Sequence, residues 1–346
     1  MAGKTMQAAQ YHPDTNECRV NEVPIPDITD DEILVKIASA SLCHSDLMLF
    51  NGSLPSGDRP ITMGHEGVGY VERCGANVKG YKKGDRLGFL YIKGCCYECK
   101  GCLVHNLNCE RGTASIQGFG CDGFFAEYAA VDYHNAIILP ENLDMKTSAP
   151  YFCAGITGRS IPFHGVDSCG LKSGQWMAIV GCGGLGQMAI QFAKAMGLHV
   201  IGLDINDTVL QAAKDAGADI VLNSTKPDYV EELKKATSGG ADAAVVFSAA
   251  QAAYDTAAKI LQIGGVLMVI GLPSKPIQFG AIDLMRKLYQ IRSESTGPPQ
   301  QMPRAIEFIA KHNIKPTVSY YKLDQIHEMI EKMQTGKSTG RLAVVF

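Results

Sequence analysis

The chain has 346 residues, of which 46% are hydrophobic and 19% charged, with a formal net charge of −3. That length exceeds one ordinary core and predicts two domains of about 100–200 residues each. The charge leaves no basic excess to neutralise phosphates, which excludes nucleic acid as the main partner. No apolar run reaches the ~20 residues of a membrane span. Residues 1–10 lack the apolar core of a signal peptide, so a cytoplasmic location is expected.

Residues 1–150 are rich in Gly and Pro and carry short β-like runs at 33–37 and 67–71. This pattern predicts an antiparallel, barrel-like unit. Twelve cysteines are many for a reducing compartment, where they do not form a disulfide framework. Cys96, Cys99, Cys102 and Cys109 crowd together, with Cys95 alongside, and clustering of that kind points to metal. Next comes a regular alternation. Strands are predicted at 175–180, 199–203, 219–222, 243–247 and 266–270. Helices are predicted at 187–196, 208–216, 229–236 and 250–262, the first two stopping at Gly197 and Gly217. Strands alternating with helices imply a parallel, doubly wound α/β sheet. Pro298, Pro299 and Pro303 then mark a loop. Helices at 304–311 and 325–333 and a terminal strand at 342–346 complete the chain.

Gly181-Cys182-Gly183-Gly184-Leu185-Gly186 fits G-x-G-x-x-G between a strand and a helix, and Asp204 ends the next strand. In that context the glycines let the backbone approach a pyrophosphate at a positive helix end. Asp204 would accept hydrogen bonds from the adenosine ribose. It would repel a 2′-phosphate, and no Arg or Lys follows it in residues 205–207, so NAD is expected over NADP. The cysteine cluster has gaps of two, two and six residues and no obvious catalytic neighbour. Four thiolates close a tetrahedral shell, which predicts a structural zinc. Cys95 could compete for a ligand place.

A dispersed set, Cys43, His65 with Glu66, and Cys153, has no local spacing motif. Its meaning comes from resemblance. Cys43-His44-Ser45-Asp46, residues 64–69 (GHEGVG), the cysteine cluster, residues 153–157 (CAGIT), the glycine loop and residues 340–342 (GRL) occur in order over nearly the whole chain. In this the chain resembles the medium-chain zinc-dependent alcohol dehydrogenases, most closely the microbial, yeast-type branch. The resemblance implies a GroES-like catalytic domain over 1–153, a Rossmann NAD-binding domain over 154–292 and a return to the catalytic domain over 293–346. It also implies a catalytic zinc on Cys43, His65 and Cys153, with a fourth place open. Glu66 would lie beside this metal as an exchangeable ligand, and Asp46 would orient His65. Ser45 matches the hydroxyl that holds the substrate oxygen. His44 and Arg341 match residues near the cofactor phosphates, and Thr157 one near the nicotinamide.

The activity implied is hydride transfer between a primary or secondary alcohol, or its aldehyde or ketone, and NAD(H), with two zinc ions per chain. Relatives are homo-dimers or homo-tetramers. Met48 stands where many relatives carry the last histidine of a proton relay, and the last cluster gap is six residues where seven is usual. Leu54 and Tyr91 occupy positions where yeast-type enzymes place tryptophans, so a pocket for substrates bulkier than ethanol is expected. Two other readings remain: a metal-free quinone or enoyl reductase on the same scaffold, and a nucleotide-binding protein without turnover.

Overall fold

The computed structural model describes residues 3–53, 57–155, 163–273, 275–294 and 299–346. The chain divides into two units. The first comprises Met1–Gly158, Thr296–Lys311 and Pro316–Phe346; the second comprises Arg159–Ser295 and His312–Lys315.

The first unit is built on a mainly antiparallel sheet. Its strands run Ala136–Ile138, Arg86–Phe89, Glu66–Cys74, Glu32–Leu42, Arg341–Val345 and Val318–Tyr321, and Tyr128–Asp132 also pairs with Glu32–Leu42. Glu32–Leu42 is buried along most of its length, unlike a strand with one wet face. It extends beyond the predicted run of 33–37 because Ala38, Ser39, Ala40 and Ser41 are small enough to pass through a crowded core and Leu42 is apolar. The closing strand Arg341–Val345 pairs antiparallel with it, Leu342 opposite Leu42. Chain residues far apart in sequence thus share one sheet.

The second unit is a six-stranded, wholly parallel sheet in the order Ile220–Asn223, His199–Asp204, Trp176–Val180, Ala241–Val246, Leu261–Val269, Tyr289–Ser293. This is the doubly wound Rossmann order, with its direction reversing beside Trp176–Val180. Met177 and Ile179 enter one apolar core and Ala178 and Val180 the other, as the period-2 alternation of a strand covered on both faces requires.

Three local expectations shift. The helix expected at 250–262 ends at Ile260, and its last two residues begin the strand Leu261–Val269. The helix after the glycine loop starts at Gly184, inside the fingerprint, because here a tertiary turn outweighs the low helix propensity of glycine. The edge strand Tyr289–Ser293 was not anticipated from sequence; its exposed, polar pattern lacks the apolar run of its neighbours.

Candidate active site and metal centres

Cys43 follows the strand Glu32–Leu42 and caps the 3-10 turn His44–Met48. Glu66 opens the neighbouring strand, and the antiparallel register sets Ser41 opposite Glu66. That pairing brings residues 43 and 65 side by side across 21 intervening residues. Cys153 arrives on the turn Tyr151–Gly155. The ligand atoms of Cys43, His65, Glu66 and Cys153 all lie within 4.8 Å of one another, and all four residues are buried.

Asp46 organises this group from beneath. Its Oδ1 lies 2.7 Å from His65 Nδ1, and its Oδ2 accepts a 2.8 Å hydrogen bond from the backbone N–H of Cys43. One fully buried carboxylate therefore orients two of the candidate ligands. With Nδ1 engaged, the free lone pair of neutral His65 is on Nε2. The His65 ring is walled by Tyr91 edge-on at 5.0 Å and by Phe119 at 5.2 Å. Tyr91 thus stands beside the cluster. Leu54 and Thr157 lie outside the described residues.

The titratable groups of the site are tightly linked. A hydrogen bond from Cys153 holds the Cys43 thiol well below the usual cysteine range, and the same bond raises Cys153 well above it. Burial lowers the His65 imidazole, but the Asp46 carboxylate overrides this and raises it well above its ordinary value. Burial pushes Glu66 up to about 7, against the pull of Arg341. Two thiols and two carboxylates share this buried space with the Arg341 guanidinium, which pairs with Glu66, and with the His65 imidazole, whose raised value matches the lowered Cys43 thiol. A divalent cation on two sulfurs and an imidazole would replace the protons that these groups share. The donor set suits zinc. Asp46→Asn should lower zinc affinity at this site by about 10–100-fold. Competition with a chelator measures it, and an unchanged affinity would remove Asp46 from the site.

Ser45 is half-buried, its Oγ 3.9 Å from Cys43 Sγ, while His44 is exposed. Met48 ends the same turn. Arg341 is not a solvated charge near a chain end. It is buried, and its Nε has no partner among the described residues, which leaves a donor for an anion.

The four-cysteine cluster forms a separate lobe. The ligand sulfurs lie within 4.8 Å of one another, with Cys96–Cys102 at 3.8 Å and Cys96–Cys109 at 3.7 Å. Sulfurs about 2.3 Å from a tetrahedral ion are about 3.8 Å apart, so the spacing fits zinc and is far too long for a disulfide. Backbone N–H groups of Cys96, Cys99, Cys102 and Glu110 point at these sulfurs at 3.4 Å. The six-residue gap closes because the helix Lys100–Val104 packs directly on the following turn. A Cβ on Gly101 would lie 1.8 Å from the Asn108 carbonyl oxygen. Cys95 does not compete: its thiol donates to the Asn106 carbonyl at 3.3 Å and stands outside the group. Tyr97 anchors the lobe. Its hydroxyl donates to Asp132 at 2.7 Å and its ring stacks on His134.

In the second unit the fingerprint forms the predicted strand–turn–helix. Gly181 has φ +92°, Gly183 caps the helix Gly184–Ala195, and a Cβ on Gly186 would lie 2.2 Å from the Gly181 carbonyl oxygen. Leu185 sits in the first turn of that helix. The Asp204 carboxylate also braces the loop itself, accepting from the N–H groups of Cys182, Ile205 and Asn206. Sequence reasoning missed Ser41, Phe119, Tyr97 and Asp132; no local motif marks them, and only their contacts in the fold reveal them.

Residues 29–141 match the family model of the alcohol dehydrogenase GroES-like domain, and residues 184–311 that of the zinc-binding dehydrogenases. An alcohol dehydrogenase of Geobacillus stearothermophilus is 34% identical over 347 residues, 98% of this chain and 98% of its own length. The chain belongs to the medium-chain zinc alcohol dehydrogenase family. Solved members share the fold. An alcohol dehydrogenase of Aeropyrum pernix superposes with a TM-score of 0.88 at 28% identity, over 98% of this chain and all of its own. An acetophenone reductase of Geotrichum candidum, solved in complex with NAD, gives 0.87 at 26% identity, over 100% of this chain and 98% of its own. The GroES-like match falls wholly in the first unit, and most of the zinc-binding dehydrogenase match falls in the second.

Proposed function

We propose that this chain is a zinc-dependent oxidoreductase transferring a hydride between an alcohol, or its carbonyl product, and NAD(H). The observation that carries the reading is the buried Cys43–His65–Cys153 group with Asp46 fixed behind it. Two thiol ligands have no use in a metal-free quinone or enoyl reductase, and a nucleotide-binding protein without turnover needs no such set.

In this reading Cys43, His65 and Cys153 hold a catalytic zinc, and Cys96, Cys99, Cys102 and Cys109 hold a structural one, giving two per chain. When bound, zinc supplies a Lewis acid for the substrate oxygen, and the nicotinamide gives or accepts the hydride. Asp46 keeps the proton on His65 Nδ1, so that Nε2 faces the site. Ser45 receives the substrate hydroxyl proton and passes it toward water, because Met48 carries no proton. Tyr91 and Phe119 wall the site on the His65 side. Leu54, with Tyr91, is assigned to the substrate pocket, and Thr157 to the nicotinamide. The glycine loop, from Gly181 through Gly183, Gly184, Leu185 and Gly186, seats the pyrophosphate, with His44 and Arg341 as phosphate partners and Asp204 on the ribose.

NADH production from an alcohol panel, with and without a strong chelator, tests the whole reading. Turnover is expected that the chelator abolishes, with a larger secondary alcohol preferred over ethanol by kcat/KM. Turnover insensitive to metal removal would return the metal-free reading. Asp204→Ala is expected to lower kcat/KM for NAD relative to NADP by about tenfold or more, as loss of a charge-assisted contact predicts. Equal losses with both cofactors would mean that Asp204 only braces the loop.

The domains are assigned as 1–153 and 293–346 catalytic and 154–292 nucleotide-binding. No helix among the described residues is long and apolar enough to cross a membrane, and a cytoplasmic location completes the reading. Assembly as a homo-dimer or homo-tetramer is supported by the edge strand Tyr289–Ser293, where Ile291 is exposed, and by exposed Ile263, Ile282 and Met285.

A further inference from the structure

Both oxygens of the Glu66 carboxylate are taken. Arg341 Nη2 donates to Oε1 and Oε2, and Ser41 Oγ donates to Oε2. Three adjacent strands produce this arrangement. Ser41 lies directly opposite Glu66 on one side and opposite Ala343 on the other. Cross-strand partners share a face, and so do residues two apart in a strand, so Ser41, Glu66 and Arg341 project to the same side of the sheet. Ser41 and Glu66 are wholly buried, so water does not replace these contacts.

Glu66 is also within ligand distance of the Cys43–His65–Cys153 group. A carboxylate free to turn there would complete four protein ligands, the closed shell of a structural zinc site. An active site needs the fourth place open. We propose that Ser41 is a positioning residue: its hydroxyl, together with Arg341, holds the Glu66 carboxylate back and keeps the fourth ligand place free for substrate. This inference rests on the reading that Cys43, His65 and Cys153 hold zinc. Arg341 holds the carboxylate through Nη2 alone, its Nε being without a partner among the described residues, so Ser41 is the second restraint on Glu66.

The test uses the holoenzyme with Co(II) exchanged into this site, followed by its visible absorption and titrated with imidazole, a neutral ligand that fills an open place. Losing one hydrogen bond to a charged group shifts the held-against-turned balance by about tenfold or more. Ser41→Ala is expected to bind imidazole about tenfold more weakly and to release its metal to a chelator more slowly than the parent. Ser41→Thr, which keeps the hydroxyl, should match the parent. Ser41→Ala/Glu66→Gln should recover the imidazole affinity, because an amide is a poor zinc ligand. A Ser41→Ala protein with the parent's imidazole affinity and metal release rate overturns the proposal, as does a double variant that stays weak. A parent spectrum without thiolate-to-cobalt absorption, or one unchanged by Cys43→Ser, overturns the zinc reading itself and the proposal with it.

Discussion

Cys43→Ser is expected to lose one zinc per chain and to lower kcat/KM for alcohol oxidation by about 10³-fold or more. The magnitude follows from the several kcal/mol that a Lewis acid contributes at the reacting oxygen, at about 1.4 kcal/mol per tenfold in rate. The fold should survive. Cys43 lies just past a strand whose neighbours remain paired, and Asp46 still accepts from the backbone at position 43. Zinc analysis, circular dichroism and steady-state kinetics on the same preparation separate the two effects. Full activity with one zinc fewer, or loss of activity with both zincs retained, would contradict the assignment of Cys43 as a ligand of the catalytic metal.

Cys109→Ser should produce the opposite pattern. The lobe around Cys96, Cys99, Cys102 and Cys109 offers little apolar burial of its own: Leu103 and Val104 are exposed at 66% and 64%, and Leu107 at 41%. In the two-zinc reading the metal, with the Tyr97 contacts to Asp132, His134 and Asn135, carries much of the lobe's stability. Loss of a metal is among the few mechanisms that reach about 4–5 kcal/mol from a single substitution. At about 2–4 °C per kcal/mol for a domain of this size, Tm should fall by about 10 °C or more. Zinc should drop by one per chain, while the activity of the protein that remains folded stays near that of the parent. An unchanged Tm would mean that the cluster is a group of reduced cysteines without a structural ion.

The two substitutions separate what the two cysteine groups do. One group is contiguous in sequence and stands apart from Glu66 and Arg341; its sulfurs are satisfied by backbone N–H groups and by one another. The other is dispersed, buried, and tied through Asp46, Glu66 and Arg341 to groups that can hold a proton or an anion. Closed coordination suits a brace, and a buried site with a held-back fourth donor suits chemistry.

The nucleotide half was legible because its signals are local. A strand of Met177, Ala178, Ile179 and Val180, a glycine turn and a helix occupy consecutive residues, and Asp204 lies at the end of the next strand. Right-handed crossovers then make the strands parallel, while the order in which they pair is set only in three dimensions. The four-cysteine lobe was legible for the same reason, down to its short last gap, although only the packing of Gly101 on Asn108 explains how six residues suffice. Cys95 illustrates the limit: adjacent to the cluster in sequence, it donates to the Asn106 carbonyl and stays outside the group of four, which only the fold reveals.

The Cys43–His65–Cys153 group was legible only through resemblance. Nothing in the spacing of Cys43, His65 and Cys153 brings them together. The antiparallel register of Glu32–Leu42 against Glu66–Cys74 does, by placing Ser41 opposite Glu66, and the turn Tyr151–Gly155 then delivers Cys153. The same sheet recruits Arg341 from the far end of the chain. Periodicity and propensity act over a few residues and so determined the elements, the glycine loop and the cysteine lobe. Which buried groups face one another is set by strand pairing between distant segments, so the tertiary structure alone decided the ligand geometry, the Asp46 bridge and the Ser41–Glu66–Arg341 contact.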